Sequence, residues 1–155
     1  MKNNSVHDEA TVTRQMLLDQ GYLDNYFMQL EQIEASGNPN FVRYIFNLYF
    51  EDTEKYIHTV ERCLEMSLPN SDDVDGALYR LKGSSASIGA NKVKIEVNRL
   101  RAMCKEKDAE TERCKELLQN LKRERAILKE KMDNYFQLLK SAEPEPSADS
   151  VVTRE

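Results

Sequence analysis

Apolar residues recur every three or four positions through four long stretches of this chain, and short Gly, Pro and Asn clusters separate those stretches. That period belongs to amphipathic helices, and nowhere do polar and apolar residues alternate as a half-buried strand requires. A segment from Phe41 to about Ser67 sets Val42, Ile45, Tyr49, Tyr56, Val60 and Cys63 on one side. Over 72–90, at about 100° per residue, Val74, Ala77, Leu78, Leu81, Ser85 and Ile88 fall within one arc. A further helix is expected from Asn91 to about Lys107. Another is expected from about Glu110 to Lys140, with Leu117, Leu121, Leu128, Met132, Tyr135 and Leu139 as its stripe. Two shorter segments precede these four. One runs from about Ala10 to Asp19 and stops at Gly21; the other runs from Leu23 to about Ala35 with Phe27, Leu30, Ile33 and Glu34 at helical spacing.

The connections carry their own chemistry. Gly37 breaks the second helix, and Asn40, after Asn38-Pro39, is expected to cap the third. Leu68-Pro69-Asn70 ends that helix, and Ser71 followed by Asp72 and Asp73 starts the fourth with acid in its first turn. Gly89 allows a turn before Asn91, the expected cap of the fifth. Four amphipathic helices on short loops bury their stripes most simply as an all-α antiparallel four-helix bundle. The first two helices then cap one end. Residues 1–141 are expected to form one domain, and 142–155, with Pro144 and Pro146 among small and acidic residues, a disordered tail.

Composition narrows the function. Cys63, Cys104 and Cys114 are odd in number and lack CxxC spacing, which argues against a zinc site or a disulfide framework and for reduced thiols. Paired acids such as Asp72-Asp73 and Glu51-Asp52 lack a metal-loop or catalytic context, so no metal and no cofactor are expected. The N-terminus is polar and acidic, unlike a signal peptide, and no apolar run approaches the roughly 20 residues that span a bilayer. A cytoplasmic protein small enough to enter the nucleus follows, with no membrane partner. Residues 1–75 hold 5 basic and 14 acidic side chains, whereas 76–155 hold 17 and 13, so the positive half suits an acidic partner surface. Arg99, Arg101, Lys105, Lys107, Lys122, Arg123, Arg125, Lys129 and Lys131 alternate with Glu106, Glu124 and Glu130. This favours solvated helix faces with i,i+4 pairs over a nucleic-acid stripe. The apolar spacing breaks around Arg125, which places the last helix in a bundle and not in a coiled coil.

One surface remains to be explained. Tyr79 lies well outside the fourth helix's apolar arc, on a side shared with Gly83 and Ala86, with Lys82 between that side and the core. Taken alone, Tyr79 reads as a partly buried aromatic and Gly83 as a close-packing position. Yet Gly in a helix interior costs about 1 kcal/mol relative to Ala, so its retention implies a need for space. The run Tyr79-Arg80-Leu81-Lys82-Gly83-Ser84-Ser85-Ala86-Ser87-Ile88-Gly89-Ala90 resembles the site segment of histidine-containing phosphotransfer proteins, in particular the plant branch. Asn38-Pro39-Asn40-Phe41-Val42, Tyr49-Phe50-Glu51-Asp52 and the basic last helix ending in Tyr135-Phe136 extend the likeness over about 15–140.

The resemblance implies a bundle helix that presents an imidazole to a receiver domain's aspartyl phosphate. Lys82 would sit three residues on, where a lysine helps neutralise phosphoryl oxygens, and Gly83 four residues on, where a glycine leaves room for the phosphorylated ring. The plant pattern reads His-Gln-Leu-Lys-Gly-Ser-Ser, and this chain has Tyr79-Arg80 in place of His-Gln. A tyrosine phenol ordinarily ionises at about pH 10 and is a poor nucleophile without an adjacent base. A non-accepting, pseudo-phosphotransfer protein is therefore expected, with no catalytic residue. Its receiver-docking face would comprise Tyr79, Arg80, Lys82, Gly83, Ser84 and Ala86, with a neighbouring surface of the second and third helices. The implied partners are receiver domains of hybrid sensor histidine kinases and of response regulators, in a relay that in plants points to cytokinin signalling, with the protein a monomer. Two alternatives stay open. One is a working carrier that uses another acceptor such as His58, which falls nearly opposite the Ile45–Tyr49–Tyr56 stripe but has Glu61 and Arg62 at +3 and +4. The other is a helical scaffold with no receiver partner.

Overall fold

A computed structural model describes residues 2–143 and places six helices in chain order. They are α1 (Lys2–Asp19), α2 (Asn25–Ala35), α3 (Phe41–Glu65), α4 (Asp72–Ile88), α5 (Asn91–Lys105) and α6 (Thr111–Ala142). No strand occurs among the described residues; one isolated bridge joins Leu23 to Ala90. The all-α bundle is thus as expected, with α3, α4, α5 and α6 in successive contact, and the tail read for 142–155 lies, from residue 144 on, outside the described residues. The first helix is longer than its apolar pattern suggested. It starts at Lys2 and lies along α6, burying Ala10 and Leu17, while α2 packs on α3 and α4.

The α4 arc is buried residue for residue: Val74, Ala77, Leu78, Leu81, Ser85 and Ile88. On α3, Val42, Tyr49 and Val60 are buried, but Ile45, Tyr56 and Cys63 are only half-buried. The centre of that face is Phe46, Phe50, Thr53, Ile57 and Leu64. Leu139, expected in the α6 stripe, and Ile33, expected in that of α2, are 37% and 41% exposed. Near the end of α6 the buried places go to Tyr135 and Phe136. Phe27, Phe46, Tyr49, Phe50, Tyr135 and Phe136 form one chain of mostly edge-to-face rings with centroids 5.2–6.5 Å apart.

The break at Arg125 has a physical cause. Its half-buried guanidinium crosses to α3, where Nε donates to Thr53 Oγ1 at 2.9 Å and Nη2 donates to the Phe50 carbonyl at 2.5 Å. Tyr49 fixes α3 to α4 in a similar way, with its hydroxyl 2.8 Å from Ser85 Oγ. Burial pushes the Tyr49 and Tyr135 phenols up to about 12. The unfolded chain ionises them from about pH 10, so their contribution is intact below that pH and is lost as pH rises toward 12. Alkaline denaturation followed by circular dichroism should therefore show stability falling between pH 10 and 12. Tyr49→Phe should flatten that fall while costing about 1 kcal/mol at neutral pH through the stranded Ser85 hydroxyl. An unchanged alkaline slope in the variant would refute this account.

Two caps differ from expectation. Asn40 precedes α3 with a left-handed φ of 64° and makes no side-chain capping bond; Glu34 Oε1 accepts instead from the Val42 amide at 3.2 Å. Asn91 is the first residue of α5 and not its cap, and its side-chain Nδ2 donates to the Gly21 carbonyl at 3.3 Å, tying α5 to the α1–α2 turn. Ser71 behaves as expected, its Oγ accepting from the Val74 amide at 3.3 Å at the head of α4. Gly89, with φ of 78°, ends that helix. The Asp24 amide donates to the Gly89 carbonyl at 3.0 Å, so the C-terminus of α4 is held against the start of α2.

Candidate functional site

With α4 fixed on its buried side by α3 and α5, its opposite side is open. Tyr79 is 64% exposed at the centre of that side. Arg80, Lys82 and Gly83 are exposed and Ser84 and Ala86 half-buried, so the six expected docking residues share one accessible stretch of helix. At 100° per residue, Arg80 and Lys82 leave the helix on opposite flanks of Tyr79. Nothing lies within 4 Å of where a Gly83 Cβ would project. The space over Gly83 is therefore not used by this chain's own packing. A helix propensity argument then gives a sign: Gly83→Ala should stabilise the fold by up to about 1 kcal/mol. Thermal denaturation checks this, and a loss of stability would mean the site is more crowded than it looks.

The residues that fix Tyr79 were not legible from the motif. Arg101, on α5, lies with Cζ 5.2 Å from the centroid of the Tyr79 ring. The same guanidinium grips Asp75, one turn before Tyr79 on α4, with Nε 2.9 Å from Oδ1 and Nη2 3.5 Å from Oδ2. Lys105 adds a longer contact to Asp75 Oδ1 at 3.7 Å. The Arg101 hydrogen bond holds the Asp75 carboxyl below its usual range, with Lys105 adding to the effect. Asp75, Arg101 and Tyr79 thus form a stack across α4 and α5 that orients the ring by a cation–π contact. The charge pattern places Arg101 on a solvated basic face, but its side chain is only 19% exposed. The i,i+4 signal could have shown Asp75 and Tyr79 as neighbours, but the register of α5 against α4 belongs to the fold.

Other basic residues also pair, but with acids other than Glu106, Glu124 and Glu130, and of the next three pairs only the first has the expected i,i+4 spacing. Lys129 meets Asp133 at 2.9 Å, Arg99 meets Glu96 at 2.7 Å, and Lys122 crosses to Glu61 on α3 at 2.5 Å. His58 is exposed on α3 and lines an open groove of about 550 Å³ with Glu54, Glu61, Lys122, Arg123 and Arg125. That groove lies between α3 and α6, away from the α4–α5 stack. No group of three or more His, Cys, Asp or Glu suited to a metal occurs among the described residues. No helix among them is long and apolar enough to cross a membrane.

The six-helix bundle leaves the α4 face around Tyr79 exposed, and comparison with known proteins places this architecture among phosphotransfer bundles. No family model matches the chain. It is nevertheless 36% identical over 148 residues to pseudo histidine-containing phosphotransfer protein 5 of Oryza sativa subsp. japonica, covering 96% of each chain. It is 34% identical to pseudo histidine-containing phosphotransfer protein 2 of the same plant, covering 93% of this chain and 94% of that one. Histidine-containing phosphotransfer protein 4 of Arabidopsis thaliana is 41% identical over 118 residues, 76% of this chain and 91% of the relative. Among solved structures, a histidine-containing phosphotransfer protein from rice superposes with a TM-score of 0.81 at 29% identity, over 90% of this chain and 98% of the other. One from Medicago truncatula gives 0.80 at 31%, over 90% and 96%. The chain belongs to the plant family of histidine-containing and pseudo histidine-containing phosphotransfer proteins.

Proposed function

We propose that this protein binds receiver domains of hybrid sensor histidine kinases and response regulators without accepting phosphate. It thereby damps a multistep His–Asp relay, with cytokinin signalling the leading candidate. The observation that carries this reading is the exposed Tyr79 at the centre of a face that keeps Lys82 and the open space over Gly83. In this reading Tyr79 stands where the phospho-accepting histidine of active relatives stands. Its phenol is a poor nucleophile, and the Arg101 guanidinium at the ring, engaged by Asp75, has no free electron pair with which to take a proton. Lys82 and Arg80 supply positive charge to an acidic receiver pocket, which sets encounter rate and register more than affinity. Any Mg²⁺ belongs to the receiver. The protein works as a monomer in the cytoplasm and nucleus.

A working carrier that uses His58 is the competing reading, and the basic wall of its groove is the feature in its favour. Incubation with a phosphorylated receiver domain separates the two. The proposed function expects binding in titration calorimetry and no acid-labile label on the protein. Label that disappears in His58→Ala would establish the carrier. Absence of binding to every receiver tried would leave a helical scaffold.

A further inference from the structure

The α5–α6 junction holds a feature that receiver docking does not use. Cys104, in the last turn of α5, and Cys114, in the first turn of α6, place their sulfurs 3.6 Å apart, with Cys104 Sγ directed as a donor toward Cys114 Sγ. Both are free thiols and both are buried, at 3% and 0% exposure. A disulfide needs the sulfurs to close to about 2.05 Å, a movement of about 1.5 Å shared by two helix ends. The connection between them, 106–110, is short and mostly exposed, so it can absorb that shift. We propose that Cys104 and Cys114 are an oxidisable dithiol that a peroxide converts to an intramolecular disulfide, locking the α5–α6 junction.

The order of events follows from access. Cys104 lines an open cleft of about 220 Å³ with Asn70, Asp72, Asp75 and Lys105, whereas Cys114 lies wholly inside. Cys104 gives up its proton and its sulfur attacks one peroxide oxygen. The O–O bond breaks, and the departing hydroxide takes up that proton as the first water. The Cys114 sulfur then attacks the resulting sulfenic sulfur, the S–O bond breaks, and the hydroxide leaves with the Cys114 proton as the second water. Two thiols are oxidised by two electrons in all, and one peroxide is reduced to two waters. Burial, with the neighbouring Cys114 and Asp75 adding, pushes the Cys104 thiol up to about 12. Thiolate is scarce, so the step is slow and external reagents reach the half-buried Cys63 first.

The experiment treats the full chain with excess hydrogen peroxide after Cys63 has been blocked with iodoacetamide under native conditions. Free thiols are then counted in denaturant, and a tryptic digest is run without reductant. The inference expects the two remaining thiols to be lost together, with the linked peptide about 2 Da lighter than the sum of its two parts once any oxygen added to Met103 is counted. It also expects a peptide joining Ala102–Lys105 to Cys114–Lys115. In Cys114→Ser the joined peptide should vanish and Cys104 should stay reduced or advance to a sulfinic acid. Two thiols surviving the peroxide, or Cys104 oxidised in the wild type without the link, would overturn the proposal. So would a link between two chains in place of the internal one. The readout makes no reference to receiver binding, so the proposal stands or falls separately from the function proposed above.

Discussion

Tyr79→His is expected to turn a protein that takes no label into one that carries acid-labile phosphate from a phosphorylated receiver. The expectation rests on how little else would have to change. Phosphoryl transfer depends mainly on positioning and on charge placed around the transferring group. Position 79 is already exposed, Lys82 is one turn away on a free flank, and the volume over Gly83 is empty. An imidazole there meets no clash, and the loss of the Arg101 cation–π contact costs only about 0.5–1 kcal/mol, the scale of such contacts at exposed sites. The gain should therefore be near all-or-none in a transfer assay run with a receiver that feeds active relatives, while the melting temperature shifts by only a few degrees. A Tyr79→His protein that folds, binds the receiver and stays unlabelled would show that more than the nucleophile is missing. The Asp75–Arg101 pair would then be the first suspect, because it fixes how the ring at position 79 stands.

The largest loss of stability expected from a single methyl group is at Gly89. Its φ of 78° is one that side-chain-bearing residues rarely adopt. An added Cβ would also lie 2.6 Å from Asp24 Oδ1 and 2.7 Å from the Phe27 amide nitrogen. One neighbour is backbone. The other is the carboxylate that accepts from the Tyr26 amide at 2.9 Å and caps α2, so neither can yield without cost. Strain and a displaced cap together put Gly89→Ala at about 3 kcal/mol, or on the order of 10 °C in melting temperature. The contrast with Gly83→Ala is the useful control. Both glycines bound or interrupt the same helix, yet one substitution should destabilise and the other should not. Equal effects at the two positions would refute the account of both.

Much of this architecture could be read from the residues because helix stripes are local. The five apolar positions of α4 and Ser85 share one arc at helical spacing, and all six are buried. Ser71 caps because its hydroxyl needs only the amide three residues on. What could not be read depended on neighbours brought in by the fold. Asn40 and Asn91 have cap-like identities, but Glu34 supplies the bond to α3, and Asn91 turns toward Gly21 across 70 residues of sequence. Arg125 looked like an interruption because its partners, Thr53 and Phe50, lie on another helix. The site divides in the same way. The exposed strip of α4 follows from its own sequence, whereas Arg101, which decides how Tyr79 stands, is set by how α5 meets α4.

The unfilled volume over Gly83 also bears on history. Tyrosine and histidine codons differ in their first base, so on the proposed reading one nucleotide separates this chain from an imidazole at position 79. Proteins that lose a reaction often accumulate changes that close the vacated site and make the loss permanent. Here no side chain has moved into the space, and no bulkier residue has replaced the glycine. On that reading the lineage stands at a reversible point, with one residue enforcing the loss of phosphate acceptance.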